Sequence, residues 1–527
     1  MTQPPSFETA VAQARAALLQ GRLDDARRAI KTAAAAQPKS PQPWLMRADV
    51  ARAAGDIDDF QKSLGKARGL IADPALGLRL DVDRASALLE LGRRAKALEL
   101  ARAAADVIEA EPRLSGRLAA LLDALEAPEA AAPLAERAAA LEPGRPEVWL
   151  DLAIVRRALG ELDAAEAACE RAIALRPGFT EAHAVLTTLK RWTSEANHVE
   201  RLRAALAGAA PRLERARLGY ALFKELDDLE RRDEAWAALQ AAADEARRVY
   251  PWADAADAEL VTALQRAFPE PPTSSPAKPR VPRPIFVVGL PRSGTSLVER
   301  ILSAHSRVSA LGELGTFGAL VAGQLGAAPQ TYVDADVASR LDRVDWRAVG
   351  EGYREIVQRL APGAAVTVDK LPQNWLYAGA IARALPDAVI VHLDRGAMDN
   401  LFGCYRQLFQ RDFHWSYSLD DLAAHYAHYR RLTDHWRSVL GHSWADVDYE
   451  ALARDPEPHI RRLLDACGLP FEAACLRPHE AAGRARSISM VQLQQPINTR
   501  GIGAWRAYAE RLEPLRAQLE SMGLLQA

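Results

Sequence analysis

The chain has 527 residues, more than one ordinary domain needs, and its length predicts about three units. With 49% hydrophobic residues, 26% charged residues and a formal charge of −2, it reads as globular and lacks the basic signature of a nucleic-acid or polyanion binder. No apolar run is long enough to span a bilayer, and Met1-Thr2-Gln3-Pro4-Pro5-Ser6 lacks the basic and apolar regions of a signal peptide, so a soluble, cytoplasmic chain is expected. Cys169, Cys404, Cys467 and Cys475 show neither metal-ligand spacing nor a disulfide framework and are expected as reduced core thiols.

From residue 6 to about 180 the chain is rich in alanine, leucine, arginine and glutamate, and it repeats. Units begin near Ala10, Trp44, Asp81, Ser115 and Trp149, at steps of 34, 37, 34 and 34 residues. Three of them close on a proline at the same offset, Pro38, Pro143 and Pro177. Ala10, Ala14, Ala17, Ala26, Ile30 and Ala33 in the first unit, and Trp149, Leu152, Ala153, Ala165 and Ala172 in the fifth, supply small and apolar packing positions. Small residues let paired helices approach closely, and each pair covers its apolar face only by stacking on the next. The pattern resembles the tetratricopeptide repeat, which implies an all-α solenoid over residues 1–195 and a protein or peptide partner.

Helical periodicity continues less regularly from Ala196 to Trp252, where Leu218-Gly219, Leu222, Ala235 and Ala238 predict a degenerate sixth pair. Residues 196–267 are therefore expected as a cap on the array. Residues 268–284 hold seven prolines with Ser, Thr and Lys among them, which predicts a semi-rigid linker and a domain boundary.

Over residues 285–527 short apolar runs alternate with helical stretches, as in a parallel α/β sheet. Ile285 to Val288 reads as a buried strand, Gly289 to Gly294 as a tight turn, and Thr295 to Leu302 as the start of a helix. A strand, a glycine-bounded turn and a helix N-terminus aim several backbone N–H groups at one point, a geometry that binds phosphate. Gly289 and Gly294 fit the spacing of the triphosphate loop G-x-x-x-x-G-K-[ST], but Thr295 stands where the lysine belongs and Arg292 lies inside the loop. Strands expected over 365–368, 388–393 and 444–449 end at Asp369-Lys370, Asp394-Arg395 and Tyr449-Glu450. Polar groups thus gather at the strand ends where open α/β sheets bind ligands. Residues 487–505, with Gly501 and Gly503, read as a polar loop able to close over a site.

Pro291-Arg292-Ser293-Gly294-Thr295-Ser296 resembles the 5′-phosphosulfate loop of sulfotransferases, and the order of motifs around it is similar to the tyrosylprotein-sulfotransferase branch. The whole chain resembles bacterial proteins in which tetratricopeptide repeats are fused to a sulfotransferase domain. The resemblance implies a P-loop-like α/β domain with 3′-phosphoadenosine 5′-phosphosulfate as co-substrate and no metal. It assigns Arg292, Ser293, Gly294, Thr295 and Ser296 to the 5′-phosphate and the sulfuryl group. Glu313, in Leu311-Gly-Glu-Leu-Gly315, matches the general base that takes the acceptor's proton. Lys370, in Val368-Asp-Lys-Leu-Pro-Gln-Asn374, matches the cation that stabilises the leaving oxygen, and Arg292 shares with it the catalytic role of stabilising the leaving phosphate. Arg395 matches the 3′-phosphate clamp, and Tyr449 a tyrosine near the nucleotide. Ser489, Gln492, Gln494 to Ile497 and Arg500 match the closing segment, with Arg500 as a second 3′-phosphate cation.

The chain departs from the family pattern after Arg395, which continues Gly-Ala-Met-Asp399 and brings Gly403 to the position of a family serine. One 3′-phosphate hydrogen bond is then lost or taken over by backbone N–H groups or Arg406. His305 invites comparison with the catalytic histidine of other sulfotransferase branches, but it is read as capping the carbonyls at the end of the loop helix.

The leading reading is a cytosolic sulfotransferase whose repeats present or recruit the acceptor, or hold a complex or dimer. An alternative is a nucleotide kinase or triphosphatase, which requires the missing loop lysine and an acidic metal ligand such as Asp369 or Asp394. Another is an interaction scaffold with a decayed catalytic domain, supported by Gly396-Ala397 and Gly403. Protein tyrosine, a sugar hydroxyl and a small phenol all satisfy the same mechanism as acceptors.

Overall fold

The computed structural model describes residues 5–54, 56–90, 93–125, 127–208, 211–270, 280–327, 332–410, 412–480 and 495–525. They fall into two compact units, Met1–Glu142 with Ala322–Pro329, and Pro143–Val321 with Gln330–Ala527. Among the described residues no helix is long and apolar enough to cross a membrane.

The first unit contains antiparallel helix pairs: α1 (Phe7–Leu19) with α2 (Leu23–Ala36), α3 (Gln42–Ala53) with α4 (Ile57–Gly69), α5 (Pro74–Glu90) with α6 (Arg94–Asp106), and α7 (Ser115–Ala124) with α8 (Pro128–Leu141). The alanines expected at the packing positions are the buried ones. α1 covers Ala10, Ala14 and Ala17, and α2 covers Ala26, Ile30 and Ala33. Met46 and Val50 of α3 complete that cluster, so the first pair closes its core only against the second.

The second unit opens with helices of the same kind, α9 (Pro146–Ala158) and α10 (Leu162–Leu175), packed through Leu150, Ala153, Ala165, Cys169 and Ala172. They are followed by α11 (Thr180–Thr187), α12 (Val199–Gly208), α13 (Arg212–Asp228), α14 (Arg232–Val249) and α15 (Asp254–Ala267). α13 and α14 pack on one another. They approach so closely that a Cβ at Gly219 would lie 2.6 Å from the Cβ of Ala242.

A five-stranded parallel sheet follows, in the order β2-β3-β1-β4-β5. β1 is Arg283–Gly289, β2 Val308–Ala310, β3 Val366–Lys370, β4 Val389–Asp394 and β5 Trp444–Asp448. The connecting helices are α16 (Thr295–Ser303), α17 (Thr316–Gln324), α18 (Ala335–Ser339), α19 (Trp346–Leu360), α20 (Ala378–Ala384), α21 (Ala397–Tyr405) and α22 (Leu419–Val439), with α23 (Tyr449–Arg454), α24 (Pro456–Ala466) and α25 (Glu513–Ser521) after β5. Alternation along β1 sorts the layers. Ile285 and Val287 join Val298 and Ile301 of α16 and Leu463 of α24 in one core. Phe286 faces the other way, with ring centroids 6.1 Å from Phe317 of α17 and 5.2 Å from Tyr353 of α19.

The strand boundaries differ from expectation in physically simple ways. β1 starts at Arg283, because the Arg283 N–H donates to Ala365 O at 3.0 Å. Asp369 and Lys370 belong to β3 itself, whereas Tyr449 opens α23 after the Asp448 cap. β2 is an unanticipated edge strand of three residues, too short for periodicity to reveal. Residues 271–279 of the proline-rich stretch, and Ser489, Gln492 and Gln494 of the closing loop, lie outside the described residues.

Candidate active site

The turn between β1 and α16 lies at the carboxyl edge of the sheet, where β1 is flanked by β3 on one side and β4 on the other. The order in which strands are added to the parallel sheet switches sides there, the usual place for a ligand in an open α/β fold. Within the turn Arg292 has φ +65° and Gly294 φ +108°. A left-handed arginine costs roughly 1 to 3 kcal/mol, a strain found where function demands it. Gly294 is required twice over, by its φ and because a Cβ there would lie 2.5 Å from the Tyr449 ring. The turn is gripped from α21 and its approach: Asn400 Nδ2 donates to Pro291 O at 2.8 Å, and Arg395 Nη1 donates to Arg292 O at 2.7 Å.

This turn and the first residues of α16 open onto a cavity of about 460 Å³. Arg292, Arg300, Arg395, Arg406 and Arg500 all line it, together with Thr295, Ser296 and Tyr449. Asp399 is the one carboxylate among the described lining residues, and its oxygens accept the N–H groups of Gly503 at 2.5 Å and Trp505 at 3.2 Å. The cavity is thus short of negative charge. The Arg292 guanidinium is pulled down to about 10, first by burial and then by the charge of Arg406, with Cys404 opposing and Arg395 adding to the effect. A polyanion entering here would relieve that repulsion and meet N–H groups at a helix N-terminus.

A second cluster lies beside this turn. Lys370, at the end of β3, is 2% exposed, and its ammonium donates to Glu313 Oε1. Glu299 Oε2 lies 3.9 Å away, on α16 one turn beyond Thr295. The segment carrying Glu313 is stitched to β3. Leu311 N–H donates to Val368 O at 2.8 Å, Lys370 N–H to Gly312 O at 2.9 Å, and Leu314 N–H to Asp369 Oδ1 at 3.4 Å. Asp369 also accepts the Tyr353 hydroxyl at 2.9 Å, and burial pushes its carboxyl up to about 8. Glu313 itself is half-exposed.

The expected site residues divide into three groups. Arg292, Gly294, Thr295, Ser296, Arg395, Tyr449 and Arg500 line one cavity. Glu313 and Lys370 meet each other as an ion pair next to α16 rather than lining that cavity. The Ser293 hydroxyl is buried, and a Cβ on Gly289 would lie 3.0 Å from it, so this side chain turns back into the sheet. Arg395 lies with its guanidinium carbon 4.5 Å from the Tyr449 ring centroid, and its Nη2 donates to Gly501 O at 2.6 Å. It joins the turn to the closing segment. Arg500 Nη1 donates to Gln495 Oε1 at 2.9 Å. Gly403 has no room for a larger residue without movement, since a Cβ there would sit 3.2 Å from Arg292 Cβ. His305 takes a structural place: Arg307 N–H donates to its Nδ1 at 3.1 Å, and its Nε2 lies 3.0 Å from Pro470 O.

Arg300, Glu299 and Asp399 escaped the sequence reading. Helical spacing carried a signal for the first two, because Arg300 is four residues beyond Ser296 and Glu299 four beyond Thr295.

Two protein-family models match parts of this chain. A model described as "Sulfotransferase family" matches residues 284–473, and a tetratricopeptide-repeat model matches residues 124–189. The chain therefore carries a sulfotransferase-family domain behind tetratricopeptide repeats. An uncharacterized protein of Aquifex aeolicus is 30% identical over 249 residues, 44% of this chain and 32% of its own length, so the match spans about a third of that relative. A Caenorhabditis briggsae protein, provisionally named a protein-tyrosine sulfotransferase, is 25% identical over 42% of this chain and 80% of its own length. Among solved structures, the sulfotransferase domain of the Synechococcus PCC 7002 olefin synthase aligns at 18% identity and a TM-score of 0.33, over 48% of this chain and 99% of that domain.

Proposed function

We propose that this domain moves a sulfuryl group from 3′-phosphoadenosine 5′-phosphosulfate to an acceptor hydroxyl. The observation that carries the reading is the five-arginine cavity at the N-terminus of α16, which suits a ligand with more than one phosphate. Thr295, Ser296 and Arg292 hold the 5′-phosphosulfate at the helix N-terminus, with Ser293 and Gly294 shaping the turn. Arg395 and Arg500 serve the 3′-phosphate, and Tyr449 supports the nucleotide side. The donor supplies the sulfuryl group; the chain's residues bind it and manage charge and proton.

In the transfer, the acceptor oxygen bonds to sulfur while its proton passes to the Glu313 carboxylate. The bond from sulfur to the bridging oxygen breaks, and the electron pair leaves with 3′-phosphoadenosine 5′-phosphate. Lys370 stabilises the charge that develops on that oxygen, an effect confined to the transition state. The ammonium must leave Glu313 to do so, which frees the base at the same moment. The repeats present a protein or peptide acceptor, or hold the enzyme in a complex or dimer, and the reading sets the reaction in the cytoplasm.

The test is to incubate the purified chain with ³⁵S-labelled donor and a lysate of its own cell, with calorimetry of 3′-phosphoadenosine 5′-phosphate alongside. Label transfer and saturable nucleotide binding are expected. Absence of both overturns the reaction class, whereas transfer that survives Glu313→Gln overturns only the choice of base.

A further inference from the structure

The carboxyl end of α21 rests on the helical pair α13–α14, which reaches the five-arginine cavity through a single carboxylate. Asp227, in the last turn of α13, accepts the Tyr508 hydroxyl on Oδ1 at 2.6 Å and pairs with Arg232 of α14. Its Oδ2 lies 3.9 Å from Nη1 of Arg406, which lines the cavity. The contact is reinforced around it: the Tyr220 hydroxyl of α13 donates to Tyr405 O at 3.2 Å, and Trp236 of α14 lies 5.8 Å from the Tyr405 ring. Tyr508 itself is buried against Phe402 of α21, with ring centroids 5.2 Å apart.

Two features of the cavity leave a role for Arg406. Both Nη groups of Arg395 donate to main-chain oxygens, those of Arg292 and Gly501, so Arg395 also serves to hold the turn and the closing segment. Gly403 brings no hydroxyl, and Arg406 follows it by three residues, the spacing that puts two side chains on neighbouring places of one helical face. A guanidinium there brings a cationic donor to the phosphate where a hydroxyl would bring a neutral one.

We propose that Arg406 is a binding residue for the second phosphate of the nucleotide and that Asp227 is the positioning residue that aims it, which makes the α13–α14 pair a part of the donor site. This rests on the sulfotransferase reading, and the experiment separates the two. Calorimetry on the full chain compares adenosine 3′,5′-bisphosphate with adenosine 5′-monophosphate, and the affinity ratio isolates the 3′-phosphate. Arg406→Ala should lower that ratio roughly tenfold or more while leaving the monophosphate within about twofold. Asp227→Asn, which keeps an acceptor for Tyr508, should lower it about threefold or more, and Asp227→Glu should restore it. Arg406→Gln serves if the alanine variant does not fold.

An unchanged ratio in Arg406→Ala or Arg406→Gln overturns the proposal while the sulfotransferase reading stands. A loss in the Arg406 variant with none in Asp227→Asn removes the positioning role of the helical pair. A wild-type chain with no preference for the bisphosphate overturns both readings.

Discussion

Lys370 is a buried ammonium held between two carboxylates, touching Glu313 and 3.9 Å from Glu299. Replacing it with methionine keeps the side-chain volume and removes the charge that the proposed transfer sets against its leaving oxygen. Turnover should fall by about two to three orders of magnitude, while nucleotide affinity, which the proposal assigns to the arginine cavity, changes far less; single-turnover transfer and calorimetry separate the two. Asp369 gives a different readout. Its carboxyl, raised to about 8 by burial, binds a proton in the folded chain over a range in which the unfolded chain, near pH 3.9, has lost it. The stabilisation is complete below the unfolded value and is lost as pH rises through about 8. Wild type should therefore lose thermal stability between pH 6 and pH 9 more steeply than Asp369→Asn, as scanning calorimetry would show. The Asp-Lys pair was legible in the sequence because an apolar run ends on it. The contacts of its two side chains were not, since Tyr353 and Glu313 come from separate segments that only the sheet brings together.

At the scale of the element, the phosphate turn depends on a close approach between two distant helix starts. A Cβ at Gly294 would overlap the Tyr449 ring at 2.5 Å, in a backbone conformation that already disfavours a side chain. Gly294→Ala should weaken binding of 3′-phosphoadenosine 5′-phosphate by about fivefold to a hundredfold, from a strain of roughly 1 to 3 kcal/mol, with an unchanged far-ultraviolet circular dichroism spectrum. The glycine was visible in the motif; the ring that enforces it was not. A second element-level dependence lies between α15 and α22. There Asp254 lies 2.7 Å from His428 Nε2 and Asp257 2.5 Å from His425 Nδ1. Burial works to raise the Asp257 carboxyl, but the His425 hydrogen bond and the charges of His425 and His428 outweigh it and hold it low. That stabilisation is present above the unfolded carboxylate value and disappears as pH falls through the lower folded one. Acidification below about pH 4 should release α15, read as lost amide protection over residues 254–267 in hydrogen exchange, and His425→Gln should flatten the dependence.

The whole molecule holds two compact units, and the sequence does not mark where one gives way to the other. The repeat spacing that starts at Ala10 runs on to Trp149 and past Glu142, because each helix pair is built from the same small-residue pattern on either side. The sulfotransferase-like half was easier to read, since a sheet-edge site gathers its polar residues at strand ends, whereas Arg406 meets, at 3.9 Å, the Asp227 carboxylate of a helix far upstream. The compact units lead to a thermodynamic expectation. A chain of this kind need not unfold in one step, and scanning calorimetry should resolve two transitions. A ligand stabilises only the cooperative unit that binds it, by about 2.7 kcal/mol at a hundred times its dissociation constant. 3′-Phosphoadenosine 5′-phosphate should therefore move one transition upward and leave the other in place. If α13 and α14 belong to the donor site, their amides gain protection together with those of α16 and α21. The amides of α1 to α8 should not respond, and protection that spreads evenly over both sets would mean that the units unfold as one.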